Sequence, residues 1–594
     1  MACYLRTLPP APSPFFLCSP HPRQTNLSSA AANDPVRSVK ANALAAEVAR
    51  AGDRGANKLS AWTSIRQERW EGDLAVEGHL PLWLNGTYLR NGAGVWEVGD
   101  IAFEHLFDGY AMLIRISFRQ GRATGAHRQI ESDAYKAAQA AGQPLYREFA
   151  YRPKPATLIE RVSDVVGLIT GTVITDNPNV TVAQLGDGRV VCLTETTKST
   201  VLVDPDTLAT VEKFGYTDKV GGVLQSGHPV VNESEFLTLL PDLFRPGYTV
   251  VRMEAGSKER KVVGRVECQG GPTPGWVHSF AVTEKYVVVP EMPLRHSTSI
   301  ASEPPPLYAF DWLPESGSYM HVMCRFTGKK VASVEVPPFM VFHFINAYEE
   351  KGEDGQDTAL IVDCCEYYAD PSMLHTLLLR NLRASTGKDE MPDSRYTRRA
   401  ALAGDSPLPL FLWITKFFSS SEEHHLIGIW MGRVGRFRIP LDGSPFGELE
   451  TALDPDEHGR GVDMCSINPS RLGKKYRYLY ACGAHRPCNS LNTLTKIDLL
   501  ETTAKNWYEE GAVPSEPFFV ARPGATNEDD ALRSCNVNCE RCSWGWLCLG
   551  PGRDNVPRDG AREAPIWPAL RVPRLLDPWE DLKNAILVNQ LSQM

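Results

Sequence analysis

Residues 186–196 read GDGRVVCLTET. A tight-turn triplet leads into an apolar, β-branched run that ends in polar residues. That is the pattern of a short strand leaving a hairpin. The same texture recurs in KYVVVPEM (285–292), TALIVDCCEYY (358–368) and KYRYLYACG (475–483). Turn clusters such as DPDT (204–207) and PLDGSP (440–445) punctuate these runs. Helical periodicity is rarer, and predicts helices in ESDAYKAAQAAG (131–142) and SMLHTLLLRNLRAS (372–385). Many short strands from about Trp70 to Arg522, with no alternation of strand and helix, point to a closed all-β array. A propeller meets that need by repeating four-stranded blades around an axis. No crisp internal repeat is visible, so the pattern alone leaves the number of blades open.

Composition narrows the function. The chain has 594 residues, 43% hydrophobic and 22% charged, with a formal net charge of −9. There is no basic stripe, which argues against nucleic acid as a partner. No run of 18 apolar residues exists, so a membrane span is not expected. Peripheral contact with a membrane needs only an exposed apolar patch and stays open. The first 33 residues lack Asp and Glu and are rich in Ser, Pro and Ala. That composition predicts a plastid transit peptide over residues 1–45, followed by an N-terminal extension over 46–75. A simply disordered N-terminus is the alternative. The 14 cysteines are scattered, with Cys364 and Cys365 adjacent, which suits reduced thiols rather than a disulfide framework.

Three of the 14 histidines have a distinctive setting. His228 lies in QSGHPVV, His278 in PGWVHSFAVTEKYVVV and His343 in FMVFHFINAYEE. Each follows an apolar stretch and leads into a strand or turn. Intervals of 50 and 65 residues exclude a shared helix. Such imidazoles could meet only where separate strands converge, such as a propeller axis, and there they would invite a divalent transition metal.

The stretches LPLWLNGTYLRNGAG, FEHLFDGYAMLIR, TDNPNVTVAQLGDGRVVCLTET, GGPTPGWVHSFAVTEKYVVVPEMPLRH and KKYRYLYACGAHRPCN carry a resemblance. Across about 76–395 and 434–530 the chain resembles a carotenoid cleavage dioxygenase, most of all the plastid carlactone synthase subfamily of strigolactone biosynthesis. The resemblance implies a seven-bladed β-propeller with a helical dome over an axial Fe(2+) held by four histidines. His228, His278 and His343 match the first three. It also implies three carboxylates that accept hydrogen bonds from the ligand imidazoles. Glu195 and Glu516 match the first and third. At the middle position the family's usual glutamate is replaced by Asp463 in DMCSIN, whose shorter arm is expected to reach directly or through water. Outer carboxylates of this kind fix ring tautomer and raise ligand basicity. The implied reaction takes 9-cis-β-apo-10′-carotenal and O2 to carlactone. A rigid, oily polyene would need an apolar tunnel, and Trp276, Phe342 and Phe344 are candidates to line it. A non-catalytic apocarotenoid-binding propeller and an apocarotenoid isomerase are the alternatives.

Two segments break the texture. The family's fourth histidine lies in a C-terminal motif, yet no histidine follows His485 here. Residues 565–578 read PIWPALRVPRLLDP. Reading their codons one base forward from Ile566 permits Tyr-Gly-Leu-Pro-Tyr-Gly-x-His-Gly-Cys-Trp-Ile-Pro, which is the missing motif. WGWLCLGPG from Trp544 permits a family-like strand by the same shift. A one-base frame error starting near 530–533 is therefore expected, making 531–594 a frame-shifted tail beyond a catalytic domain of 76–530. Cys535, Cys539, Cys542 and Cys548 resemble a zinc set only loosely, with atypical spacing. Residues 396–433 form an insert with the marks of a retained intron. Joining Arg395 to Val434 restores a family-like sequence, and codons permitting AG|GT and CAG|G stand at the two ends. His424 and His425 then fall outside the ligand set. Sequencing of cDNA across both regions is expected to show a transcript without 396–433 and with one base changed near 530–533. A transcript identical to the printed sequence would reject both readings.

Overall fold

The computed structural model describes residues 62–74, 80–153, 170–297, 308–383, 432–453, 461–485, 490–508, 512–539 and 542–549. It also describes a few single positions and the pairs Tyr4–Leu5 and Leu570–Arg571. The all-β expectation holds. Antiparallel sheets follow one another along the chain as a propeller. The first blade joins Gly86–Val95, Tyr110–Arg119, Arg122–Gln129 and Arg69–Leu74, with Tyr4–Leu5 beside the first of these. The next four-stranded blades start at Thr181–Gln184, Val230–Val231, Ala281–Val282, Val341–Lys351 and Asp463–Ser466.

Among the described residues the regular blades therefore number six, not the seven expected. The remaining sheet is irregular. Ala512–Pro514 and Phe518–Ala521 both pair with Ala531–Cys539, so its first strand is broken at residues 515–517. Cys542–Leu549 and the two-residue Leu570–Arg571 complete it. Val, Leu, Cys and Trp give the strands within 531–549 β-propensity to pair.

Alternating apolar side chains pack each blade against the next. Leu237, Leu239 and Tyr248 of the third blade bury against Val287, Val289 and Met323 of the fourth. Ile345 and Val434 of the fifth bury against Leu479 and Ile497 of the sixth. The ring closes where Phe518 and Val520 meet Tyr88, Ile116 and Phe118 of the first blade.

Among the described residues helix is sparse. One helix, Asp133–Ala141, is capped by the Ser132 side chain accepting from Tyr135 N and by left-handed Gly142 (φ 68°). The segment 372–385 forms only the single turns Met373–Thr376 and Leu379–Leu382. Its apolar residues instead pack on the 104–108 loop, where Leu106 N and His105 Nε2 meet the carbonyls of Leu377 and Leu374. Most of the expected insert lies outside the described residues. Its last residue, Arg433, opens a strand and pairs with Glu366 at 2.8 Å. Joining Arg395 to Val434 would keep an arginine at that place.

The fourth blade carries a polar knot. Glu291, fully buried, accepts from Arg295 Nη1 and His321 Nε2 at 2.9 Å and from Gly270 N at 2.7 Å. Burial pushes the Glu291 carboxyl up, but His321 and the amides outweigh it and hold the group below the ordinary range. Replacing Glu291 by Gln strands the buried Arg295 charge and is expected to cost about 3–5 kcal/mol, read as a lowered urea midpoint. An unchanged midpoint would contradict the assignment.

Candidate metal centre

His228, His278 and His343 come together. Their candidate donor atoms all lie within 4.8 Å of one another, and all three residues are buried. Ring centroids are separated by 4.7, 5.0 and 5.2 Å. His228 and His278 stand just before the first strands of the third and fourth blades, and His343 lies within that of the fifth. Propeller geometry gathers these strands at the axis, so residues 50 and 65 apart meet.

Backbone links fix the three strands to one another. Ser226 Oγ donates to His278 O at 2.9 Å, and His228 N to the same carbonyl at 3.2 Å. Ser279 Oγ donates to Phe342 O at 2.5 Å and accepts from Phe344 N at 3.1 Å. These serines were not legible as site residues, because a serine beside a histidine is unremarkable in sequence.

Each imidazole is held from outside at Nδ1. Thr181 Oγ1 lies 3.0 Å from His228 Nδ1, Glu195 Oε1 2.6 Å from His278 Nδ1, and Asp463 Oδ1 2.7 Å from His343 Nδ1. Asp463 therefore reaches its histidine directly, without a bridging water. Thr181 was missed, since a threonine opening a strand carries no signal of its own. Glu516 is buried at the break in the first strand of the final sheet. His485 stands elsewhere, stacked on Tyr508 with centroids 4.1 Å apart. His424, His425 and the side chains of Cys535, Cys539, Cys542 and Cys548 lie outside the described residues.

With Nδ1 engaged outward, Nε2 is the ring nitrogen left to face the cluster. His228 Nε2 and His278 Nε2 are 3.0 Å apart. Nitrogens at about 2.1 Å from one cation reach that spacing when the angle between them is near 90°. Three buried imidazoles gathered in this way are a donor set that suits a divalent transition ion.

Two aromatic side chains complete the outer layer. Trp276 Nε1 donates to Glu195 Oε2 at 2.7 Å, and the Tyr367 hydroxyl donates to Asp463 Oδ2. Trp276, a candidate tunnel residue in the sequence, is only 2% exposed and so acts mainly on Glu195. Burial and the neighbouring Asp463 carboxylate push the Tyr367 phenol well up, so it stays a donor. Burial would raise Asp463 too, but His343, Tyr367 and Met464 N hold it below the ordinary carboxylate range. Met464 has φ 51°, a left-handed conformation unusual for a side chain of its size, at the irregular register between Asp463 and Ser466.

Gly227 makes the approach possible. A Cβ there would stand 3.3 Å from His278 Nδ1 and 3.4 Å from Glu195 Cγ. Gly227→Ala is expected to push these partners apart and weaken divalent-ion binding at least severalfold, as loss of an outer partner does, while leaving the circular dichroism spectrum unchanged. Unaltered ion affinity would refute that tightness.

Comparison with known proteins agrees with this architecture. The family model described as "RPE65: Retinal pigment epithelial membrane protein" matches residues 62–540. Carotenoid cleavage dioxygenase 8 homolog A, chloroplastic, of Oryza sativa subsp. japonica is 61% identical over 536 residues, covering 89% of each chain. Carotenoid cleavage dioxygenase 8, chloroplastic, of Arabidopsis thaliana is 53% identical over 481 residues, 80% of this chain and 78% of that one. Among solved structures, a cobalt-substituted Synechocystis ACO superposes with a TM-score of 0.61 at 21% identity, over 83% of this chain and 92% of that one. The blade order, the histidine cluster and these likenesses agree: the chain belongs to the RPE65 family and is a carotenoid cleavage dioxygenase.

Proposed function

We propose that this protein uses Fe(2+) and O2 to convert 9-cis-β-apo-10′-carotenal to carlactone, in the plastid, for strigolactone synthesis. The observation that carries the reading is the convergence of buried His228, His278 and His343, whose candidate donor atoms lie within 4.8 Å of one another and whose Nδ1 atoms each meet an outer partner. Plant relatives whose names include carotenoid cleavage dioxygenase 8 and chloroplastic support the substrate class and the compartment.

The three histidines would hold the iron. Iron with open positions supplies the activation of dioxygen. Glu195 and Asp463 keep His278 and His343 in the tautomer that presents Nε2, and Thr181 does so for His228. Half-buried Phe107, Phe149, Phe310 and Phe344 beside the buried core offer apolar faces to a polyene. Exposed Phe244 and Leu313 are available for contact with a plastid membrane surface. Glu516 would have oriented the fourth histidine that this chain lacks. The final sheet then stands for an incomplete seventh blade, and the frame-shifted tail and the insert leave the printed chain impaired.

Iron content, oxygen uptake and product mass test the reading. His278→Ala is expected to lose iron and oxygen uptake together, and retention of both would overturn it. Removing 396–433 and restoring the frame after about 530 is expected to raise iron content and turnover. Equal values in the printed and restored chains would refute the impairment.

A further inference from the structure

We propose that Trp276 and Tyr367 are positioning residues that couple an apolar occupant of the aromatic cluster to the metal-binding histidines. This rests on the metal reading above. Two independent chains of contact have the same construction. In one, Trp276 Nε1 binds Glu195 Oε2, and Glu195 Oε1 binds His278 Nδ1. In the other, the Tyr367 hydroxyl binds Asp463 Oδ2, and Asp463 Oδ1 binds His343 Nδ1. In both, an aromatic donor takes the carboxylate oxygen that the histidine does not use.

The two donors meet on a single ring. Phe342 lies edge-on to Trp276 with centroids 5.1 Å apart and to Tyr367 at 6.0 Å, and it is fully buried. On the other side of Trp276 stand Phe149 at 6.0 Å and Phe310 at 5.5 Å, both only half-buried. Those rings have faces left to cover, and Trp276 and Phe342 do not. An apolar occupant lying on Phe149 and Phe310 would press on Trp276 and, through Phe342, on Tyr367. Interiors are packed too densely for such a push to be absorbed locally.

A push of this kind changes charge as well as position. A carboxylate that also accepts from an indole or phenol has less negative charge to give its imidazole. Lengthening the Trp276 or Tyr367 bond therefore makes His278 or His343 a stronger donor at Nε2. The Tyr367 arm is also held under backbone strain: Tyr368 and Ala369 have φ 52° and Met464 φ 51°. Non-glycine residues in that region persist where the surroundings impose them, often at functional sites.

The test uses Co(II) with the full chain, under argon, in wild type, Trp276→Phe and Tyr367→Phe. Phe437→Leu serves as a packing control. Its ring lies in the same core on Phe339 and outside the carboxylate contacts described. The readouts are the Co(II) dissociation constant and the Co(II) paramagnetic resonance spectrum, with and without β-apo-10′-carotenal. Wild type is expected to bind Co(II) and to change its spectrum with the aldehyde. Each donor variant is expected to shift the dissociation constant about fivefold, the worth of one typical intramolecular hydrogen bond, and to lose much of the aldehyde-induced change. Phe437→Leu should lower the thermal midpoint and leave both readouts alone. The same readouts are taken in the chain restored as above, and failure of both chains to bind Co(II) would sink the metal reading itself. Wild-type binding with unchanged donor variants, or an equal effect of Phe437→Leu, would overturn the coupling alone. If Trp276→Phe does not fold, Tyr367→Phe decides, since it removes a single oxygen.

Discussion

Three buried imidazoles at centroid distances of 4.7 to 5.2 Å cannot all present protons to the same point. The structure assigns those protons outward, to Thr181, Glu195 and Asp463. Everything else about the centre follows from that assignment. Asp463 is buried and Glu195 partly so, and taking a carboxylate out of water is costly unless it finds enough partners. Trp276, Tyr367 and Met464 N supply them. Glycine at 227 and a left-handed Met464 bring backbone close enough for the layers to fit.

The site is assembled by a simple rule of placement. Thr181, His343 and Asp463 lie in the first strand of their blades, and His228 and His278 in the residues leading into theirs. Glu516 occupies the break in the first strand of the final sheet. Five blades thus contribute one side chain each, and Glu195, which follows the second strand of its blade, is the exception. No single sheet could place so many polar groups together without leaving some unpaired.

The strand texture was legible because β-branched runs and turn clusters are local signals, and the histidines became legible once those strands were read as converging. Residues acting at second hand were not. Thr181, Ser226, Ser279 and Tyr367 look like ordinary strand or turn residues, and only the fold reveals what they touch. The helix within 131–142 was readable from its period. The segment 372–385 has the same apolar content, but its leucines are spent on the 104–108 loop and Tyr308, which breaks it into single turns. Blade number was beyond the pattern, since no internal repeat marks the blades and the last sheet starts with a strand broken at Glu516.

The contact of Phe518 and Val520 with Tyr88 and its neighbours bears on how the chain is made. These partners are 430 residues apart. A ribosome adding 5–20 residues per second needs about 20–90 seconds to span that interval. For all that time the hydrophobic flank of the first blade waits without its partner. A nascent propeller of this kind depends on something to shield that flank, and any change that delays the arrival of Phe518 lengthens the period in which it can stick to other chains.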